Sequence, residues 1–385
     1  MYNLIEKKEI FAGRLKKLRR RLDEIGADGI IIIKDENIFY ITGFYGHDSG
    51  SALVITKKEV FLIVHFIYFE KAKTSVLLHE TNIMQFRSNK KEVFEKIFSE
   101  IEGESFGIES SFVNYESYIK YKKSLKKTAK KLINLPGFVE KQRIIKDSIE
   151  LEAIKKACSI ADEAIKNIIE MEPERIKDFT ESRMALYIEE LMLKEGASSR
   201  AFNLIVAGNA SSSLPHYEPA HKILQNGILL FDIGCIWEHY CSDITRTIFI
   251  RNGPPGQKNM MCRRNIDKIK EIYDIVLGAQ LLALQQCREG MTCSRLDAIA
   301  RDFIEKKGYG QYFGHGLGHG VGLEVHEGPT ISGKDNTVLE ENMVITIEPG
   351  IYIGGIGGVR IEDMVIVKKG CAVNLYNCPK TEIYI

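Results

Sequence analysis

The sequence predicts an α/β (α+β) protein of two domains, and three observations carry that reading. The chain is 385 residues long, whereas single hydrophobic cores rarely grow beyond about 250–300 residues. Along the amino-terminal third, short wholly apolar runs typical of buried strands alternate with stretches of helical period. Between residues 130 and 145 the pattern changes, and Pro136–Gly137 punctuate the chain there.

The elements follow in order. An amphipathic basic helix is expected near Arg14–Ile25, ahead of "GADGIIIIKDENIFYITGF", in which Ile30–Ile33 form a buried strand. "SALVITKKEVFLIVHF" supplies two strands around a Lys57–Lys58 turn. His65 in that segment reads as a hydrogen-bonded strand histidine. "KYKKSLKKTAKK", from Lys120 to Lys131, reads as the solvated face of a helix. Asp147 with Glu150 three residues later forms a capping box that opens a long amphipathic helix. Helical segments continue to about Glu195, and from Ala201 onward strand and turn are expected.

The totals exclude several classes. With 44% hydrophobic and 27% charged residues the composition is that of an ordinary globular protein, so no disordered or fibrous class applies. Lys+Arg number 53 against 52 Asp+Glu, a formal charge of +1, so nucleic acid is not an expected partner. "MYNLIEKKEIFAGRLKKLRRRL" lacks the apolar centre of a secretory signal, and no apolar run is long enough to cross a membrane. All eight cysteines fall from Cys158 onward, without a CxxC pair. Scattered thiols of this kind indicate a reducing compartment, and a cytoplasmic location is expected.

The chemistry concentrates in the second domain. "GILLFDIGCIWEHYCSDITRTIFI" reads as two strands joined by a turn. With a period of two, Ile228, Leu230 and Asp232 share one face, and Asp243, Thr245 and Thr247 share a face of the next strand. "NMVITIEPGIYI" and "GGVRIEDMVIV" are two further apolar strands, carrying Glu348 and Glu362, with Arg360 on the same face as Glu362. A carboxylate in a buried strand is costly without a partner. Salt bridges to Arg246 and Arg360 would explain one such acid, but four acids in four apolar strands are not readily explained that way.

Between these strands lies "HGLGHGVGLEVHEGP", residues 315–329, with glycine at every even position from Gly314 to Gly322. His315 and His319 are four apart and on a helix would share a face that could hold zinc. So much glycine excludes a helix, since each costs about 1 kcal/mol relative to alanine. The segment is therefore read as strand or loop. Four carboxylates and one imidazole fit a pair of divalent cations, whose charge the acids balance. Oxygen-rich ligation suits manganese, cobalt or zinc. Two such ions a few ångströms apart lower the pKa of a shared water and polarise a carbonyl, which is the chemistry of amide hydrolysis.

In combination and in this order, "LPH" (Leu214–His216), "FDIG", "SDITRT", "GLGHGVGLEVHEGP", "ITIEPGIY" and "VRIED" resemble the proline-specific metallopeptidases of the pita-bread fold, aminopeptidase P and prolidase. "DENIFYITGF" also resembles their creatinase-like amino-terminal domain. The resemblance implies a creatinase-like domain over residues 1–135 and a pita-bread catalytic domain over residues 136–385. It implies Asp232, Asp243, His319, Glu348 and Glu362 as metal ligands, with Asp243 and Glu362 bridging. Asp232 would complete one metal's shell, and His319 with Glu348 the other's. His216, His315 and His326 are implied as cleft histidines, and Arg360 as an arginine beside Glu362.

By the same resemblance the cofactor is two divalent ions, manganese first, with cobalt or zinc also compatible. The substrates implied are proline-containing peptides or dipeptides, and the assembly is a homodimer. A site already balanced by four carboxylates has little use for three further neutral ligands. It does need hydrogen-bond donors where negative charge develops, and a proton route to the leaving imino group. The alternating glycines would let the backbone pass close to metal and substrate.

Two segments depart from the family pattern. The connection 251–268 is longer and more basic than usual, and "VHFIYFEKA" stands where an acidic-aromatic segment is common. Methionine aminopeptidase shares the five ligands, but the separate first domain and "GLEVHEGP" argue against it. Creatinase works without metal, and the intact ligand set argues against that as well as against a non-catalytic binding protein.

Overall fold

The computed structural model describes residues 2–176, 178–250 and 263–380. The chain divides into two compact units, Met1–Arg143 and Ile144–Ile385.

The first unit is built on a six-stranded mixed sheet. Its strand order is Thr81–Phe86, Val60–His65, Ala52–Thr56, Gly29–Ile32, Ser105–Ile108 and Lys131–Asn134. Ala52–Thr56 runs antiparallel to both of its neighbours, and the remaining pairs are parallel. Gly29–Ile32 is wholly buried, as its unbroken apolar run requires. Ile31, Val54 and Ile63 pack against Phe94, Phe98 and Phe106 to form the core. His65 is hydrogen-bonded through Nε2 to the Arg87 carbonyl at 2.9 Å. The lysine-rich segment is helical only to Lys127: the helix Tyr115–Lys127 buries Leu125 and leaves Lys120, Lys122, Lys123, Lys126 and Lys127 in solvent, while Lys131 already begins the strand Lys131–Asn134. "VHFIYFEKA" ends one strand, passes through a short turn of 3₁₀ helix and opens the helix Phe69–Ser75.

The first helix corrects the sequence reading. It runs Leu4–Glu24, ten residues earlier than expected, because Asn3 caps it and Glu6 returns the bond to complete a capping box. Phe11, Leu15, Leu18 and Leu22 form its buried stripe. Arg14 is buried with them, donating to the Tyr40 carbonyl at 2.7 Å.

The second unit opens on the helix Ser148–Ile169, capped by Asp147 and Glu150 as their spacing requires. Ile205–Gly208, Gly227–Ile233 and Ile244–Ile250 form an antiparallel sheet that sets Asp232 directly opposite Thr245. A five-stranded sheet follows in the order Glu327–Ile331, Gly318–Gly320, Val344–Ile347, Asp363–Ile366 and Val373–Asn374. Gly350–Ile353 and Gly357–Arg360 pair as a hairpin beside it.

Three expectations are revised here. The stretch between the two aspartate strands is not a simple turn, since Cys235–Trp237 and Tyr240–Cys241 pair within it. The region after Ala201 is not strand and turn throughout, for it contains the helices Arg263–Gln286 and Cys293–Lys306. Ile269, Tyr273, Val276, Ala279 and Ala283 recur at helical spacing and pack with Leu296, Ala300 and Ile304 against Ile345, Ile347 and Val365. Alanines make that stripe low in contrast, which hid it beside the more apolar strands. Finally, three of the four acids stand at strand ends rather than inside strands. Asp243 precedes Ile244–Ile250, Glu348 follows Val344–Ile347, and Glu362 lies between Gly357–Arg360 and Asp363–Ile366. Of the long basic connection, residues 251–262 lie outside the described residues, and the rest begins the Arg263–Gln286 helix.

Candidate metal centre and its cleft

The edges of these strands converge on a cavity of about 830 Å³. Asp232, Asp243, His319, Glu348 and Glu362 line it together with His216, His315, His326 and Arg360. Three overlapping groups have ligand atoms within 4.8 Å of one another: Asp232, Asp243 and Glu362; His319, Glu348 and Glu362; and Asp243, His319 and His326.

Each member is held by its backbone. The Asp243 amide meets the Tyr376 hydroxyl at 3.2 Å, and its carbonyl accepts from the same hydroxyl at 2.7 Å. The Glu362 amide donates to the Thr245 carbonyl at 3.1 Å, and the Glu362 carbonyl accepts from Arg246 at 2.6 Å. Glu348 donates its amide to the Leu317 carbonyl at 2.8 Å. The His319 amide donates to the Thr346 hydroxyl at 3.0 Å, and that hydroxyl donates to Glu348 Oε1 at 3.0 Å.

The side chains carry an electrostatic conflict. Glu362, only 1% exposed, accepts from the Thr245 hydroxyl through Oε2, while its Oε1 is buried with no partner among the described residues. Asp232 Oδ1 is likewise buried and unpartnered. Burial, with the charges of Glu362, Asp232 and Glu348 added, pushes Asp243 well above the usual carboxylate range. Burial with the charges of Glu348 and Asp232 does the same to Glu362. Glu348 moves the other way: burial opposes it, but the His319 hydrogen bond and charge hold it below its ordinary value.

Asp363, the next residue, shows what a structural buried acid looks like. It is fully buried, yet its oxygens accept from Arg246 at 2.7 Å, from Gln280 and Asn374 at 2.8 Å each, and from Lys380. Those partners outweigh its burial and hold it below the usual carboxylate range. Salt bridging therefore explains Asp363 but not the cluster. Arg246 is committed to Asp363, and Arg360 reaches only Asp232 among the four acids, at 2.6 Å. The cluster suits oxophilic cations, which would supply positive charge to two otherwise unpartnered carboxylate oxygens.

The imidazoles differ in environment. His319 Nδ1 lies 3.1 Å from the Gly320 carbonyl, which can only accept, so that nitrogen carries the proton. Nε2 then faces Glu348 Oε1 at 3.2 Å and Asp243 Oδ2 at 3.6 Å, an orientation suited to ligation. Burial would depress His319, but Glu348 overcomes it and holds the imidazole above its ordinary range. His315 Nδ1 meets the Gly316 carbonyl at 2.8 Å and Nε2 meets the Tyr352 hydroxyl at 2.9 Å, so both its nitrogens are engaged. Burial keeps it below its ordinary range. His326 has its ring centroid 4.4 Å from that of His319; its residue surface is exposed, but the ring stands inside the cavity wall, and the partial loss of solvent there together with the charge of His319 lowers its pKa. His216 is an exposed part of the wall.

Sequence reasoning assigned no role to Tyr352, Thr245 or Thr346. Arg360 donates to the Tyr352 hydroxyl at 2.9 Å and to Thr245 Oγ1 at 3.0 Å, so one guanidinium links Asp232, Tyr352 and the threonine that holds Glu362. All three positions lie inside the quoted motifs, which was the available signal. The glycines also serve in more than the expected way. A Cβ at Gly318 would run into the Thr346 carbonyl and one at Gly320 into the Gly328 carbonyl. Glycine at these two positions makes room for the neighbouring strands, and Gly314, Gly316 and Gly318 also line the cavity.

The chain matches two family models: the creatinase/prolidase N-terminal domain over residues 14–145, and metallopeptidase family M24 over residues 152–369. It is 40% identical to an Xaa-Pro dipeptidase of Pyrococcus horikoshii across 94% of this chain and 96% of that one. Among solved structures, an Xaa-Pro dipeptidase from Bacillus anthracis superimposes with a TM-score of 0.86 at 36% identity, covering 97% of this chain and all (100%) of that one. An X-Pro aminopeptidase from Thermotoga maritima gives 0.82 at 33% identity, covering 96% and 99% of the two chains. With its mixed α/β architecture, its amino-terminal creatinase-type domain and its pita-bread second domain, the chain belongs to metallopeptidase family M24.

Proposed function

We propose that the protein is a two-metal exopeptidase that hydrolyses the Xaa-Pro bond at the amino terminus of peptides. The observation that carries this reading is the conflict at Asp232, Asp243 and Glu362: one half-buried and two buried carboxyl groups gathered within 4.8 Å, with two buried oxygens that have no partner among the described residues. Asp243 and Glu362 would bridge the two ions, Asp232 would complete one shell, and His319 with Glu348 the other. Manganese is the first ion to try, with cobalt and zinc compatible with the same donors. When bound, such a pair supplies Lewis-acid polarisation of the scissile carbonyl and lowers the pKa of water towards neutrality.

The chain's own residues do the rest. His326 and His216, exposed on the cavity wall, would donate hydrogen bonds as charge develops on the carbonyl oxygen and pass a proton to the leaving imino nitrogen. His315, with both nitrogens engaged, shapes the wall and anchors Tyr352. Arg360 neutralises and orients Asp232 through their 2.6 Å contact. Phe202, Pro215, Tyr217 and Tyr312 offer an apolar surface on which a pyrrolidine ring can pack. Specificity for proline is supported by the names of the similar proteins, which are Xaa-Pro dipeptidases and an X-Pro aminopeptidase.

Two further features belong to this reading. A homodimer follows from the family resemblance. We infer a cytoplasmic location, a reading that the scattered, free cysteines among the described residues support. The test is hydrolysis by the manganese-loaded protein of an Xaa-Pro dipeptide, an Xaa-Pro-Yaa tripeptide and their Xaa-Ala counterparts. Cleavage confined to the proline substrates is the expected result, and the faster of the two distinguishes dipeptidase from aminopeptidase. Equal cleavage of the alanine peptides, or none of any, would end the proposal.

A further inference from the structure

Resting on that reading, we propose that Glu181 is a positioning residue for the cleft: it locks the loop that carries His216 and Tyr217. Glu181 begins the helix Glu181–Lys194, behind the Thr180 cap, and is 1% exposed. It belongs to none of the groups that could hold a cation among the described residues. A buried carboxylate must find donors, and all three of its donors come from one short stretch. The Gly208 amide donates to Oε1 at 2.9 Å, while the Tyr217 hydroxyl and the Ala220 amide donate to Oε2 at 2.7 and 3.3 Å.

The geometry makes this a clasp. Gly208 ends the strand Ile205–Gly208 where the loop departs, and Ala220 stands where it returns. Backbone bonds reinforce the closure: the Glu181 amide to the Lys222 carbonyl at 2.9 Å and the Ser182 amide to the Ala220 carbonyl at 3.0 Å. Lys222 Nζ reaches across to the Ser211 hydroxyl at 2.9 Å. Between the clasped ends lie Pro215, His216, Tyr217 and Glu218, all of which form cavity wall. Tyr217 therefore lines the cleft while it packs against Ile205, Ala207 and Leu230 and its hydroxyl is fixed on Glu181.

A satisfied buried acid that merely stabilised the fold would leave turnover below the melting temperature untouched. A positioning residue acts through His216 and Tyr217, so the part of its effect on kcat that runs through His216 must vanish when His216 is already removed. Glu181→Gln keeps the shape but turns an amine towards N–H and O–H donors, so at least one of the three bonds is lost. The experiment measures metal content, kcat, KM and amide hydrogen exchange across residues 208–220. It does so for wild type, Glu181→Gln, His216→Ala and the double variant, loaded with manganese and using an Xaa-Pro dipeptide.

The expected result is unchanged metal content, faster exchange in 208–220, and a fall in kcat/KM of about 10- to 100-fold. In the His216→Ala background kcat should fall by less than about twofold. Tyr217→Phe breaks the same bond from the other side and should reproduce the exchange change and raise KM, which keeps the proposal testable should Glu181→Gln fold poorly. Independent, multiplicative losses in the double variant, or unaltered exchange in the loop, would overturn it. Should wild type itself cleave no Xaa-Pro bond, the peptidase reading falls, while exchange across 208–220 still decides the clasp.

Discussion

Replacing Asp243 by asparagine should reverse its effect on stability according to whether metal is present. In the metal-free protein Asp243 shares a space within 4.8 Å of the oxygens of Asp232 and Glu362. At that separation two unit charges repel by about 3 kcal/mol at an effective dielectric of about 20. Taking up a proton costs only about 1.4 kcal/mol for each pH unit above the ordinary pKa, so the acid is held protonated well above the usual carboxylate range. The folded metal-free state thus binds a proton that the unfolded chain has released. Its stability falls as pH rises from about 4 towards the raised folded pKa.

Asparagine abolishes that penalty without changing shape. The metal-free variant should gain about 1–3 kcal/mol at neutral pH, less than the full repulsion because protonation already relieves part of it. For a domain of this size that raises Tm by about 2–4 °C per kcal/mol. Manganese should stabilise wild type by about 2.7 kcal/mol for each ion at a hundredfold excess over Kd. It should do little for the variant, because a neutral amide bridges two cations poorly. Thermal unfolding of both proteins, in chelator and in manganese, should therefore give crossing orders of Tm. A variant destabilised equally in both conditions, or stabilised by manganese as strongly as wild type, would refute the reasoning.

Other outcomes follow from the same geometry. His319→Ala should lose metal, because its Nε2 is the nitrogen directed at Glu348 and Asp243. His326→Ala should keep metal and lose about 10²–10⁴ in kcat; metal loss instead would make it a ligand, as its position in the Asp243–His319 group allows. His315→Ala should keep metal and lower kcat/KM through the loss of its Tyr352 contact. Glu362→Gln should abolish turnover while the fold persists by circular dichroism, and wild-type activity would remove Glu362 from the bridge. Asp147→Ala should cost about 1 kcal/mol in denaturant unfolding, since it removes the two bonds that its carboxylate accepts from the Ile149 and Glu150 amides.

What could be read in the sequence depended on how local the cause was. The strand Gly29–Ile32 and the Asp147–Glu150 cap rest on neighbours within a few residues, and both were legible. The helix start was legible too, in the Asn3–Glu6 spacing, but the charges from Arg14 onward drew attention away from it. The Arg263–Gln286 helix carries its period in alanines and scattered isoleucines, a faint signal beside the glycine-histidine run. The acids and His319 were conspicuous because a charge in an apolar context is conspicuous. Their supports were not: Thr245 and Glu362 meet across 117 positions, and Tyr217 and Glu181 across 36. Nothing in either local sequence announces the other. The glycines marked close approach, but what approaches them is neighbouring backbone, which only the strand register reveals.

The central claim is that Asp232, Asp243, His319, Glu348 and Glu362 hold two ions that act together on an Xaa-Pro bond. Its most direct test is to strip the protein of metal and titrate it with manganese, following bound ion by elemental analysis and hydrolysis of one Xaa-Pro peptide in the same samples. Binding should saturate at about two ions per chain, and activity should reach its plateau only there. A folded sample that binds essentially none, or that hydrolyses the peptide equally well without metal, would contradict it.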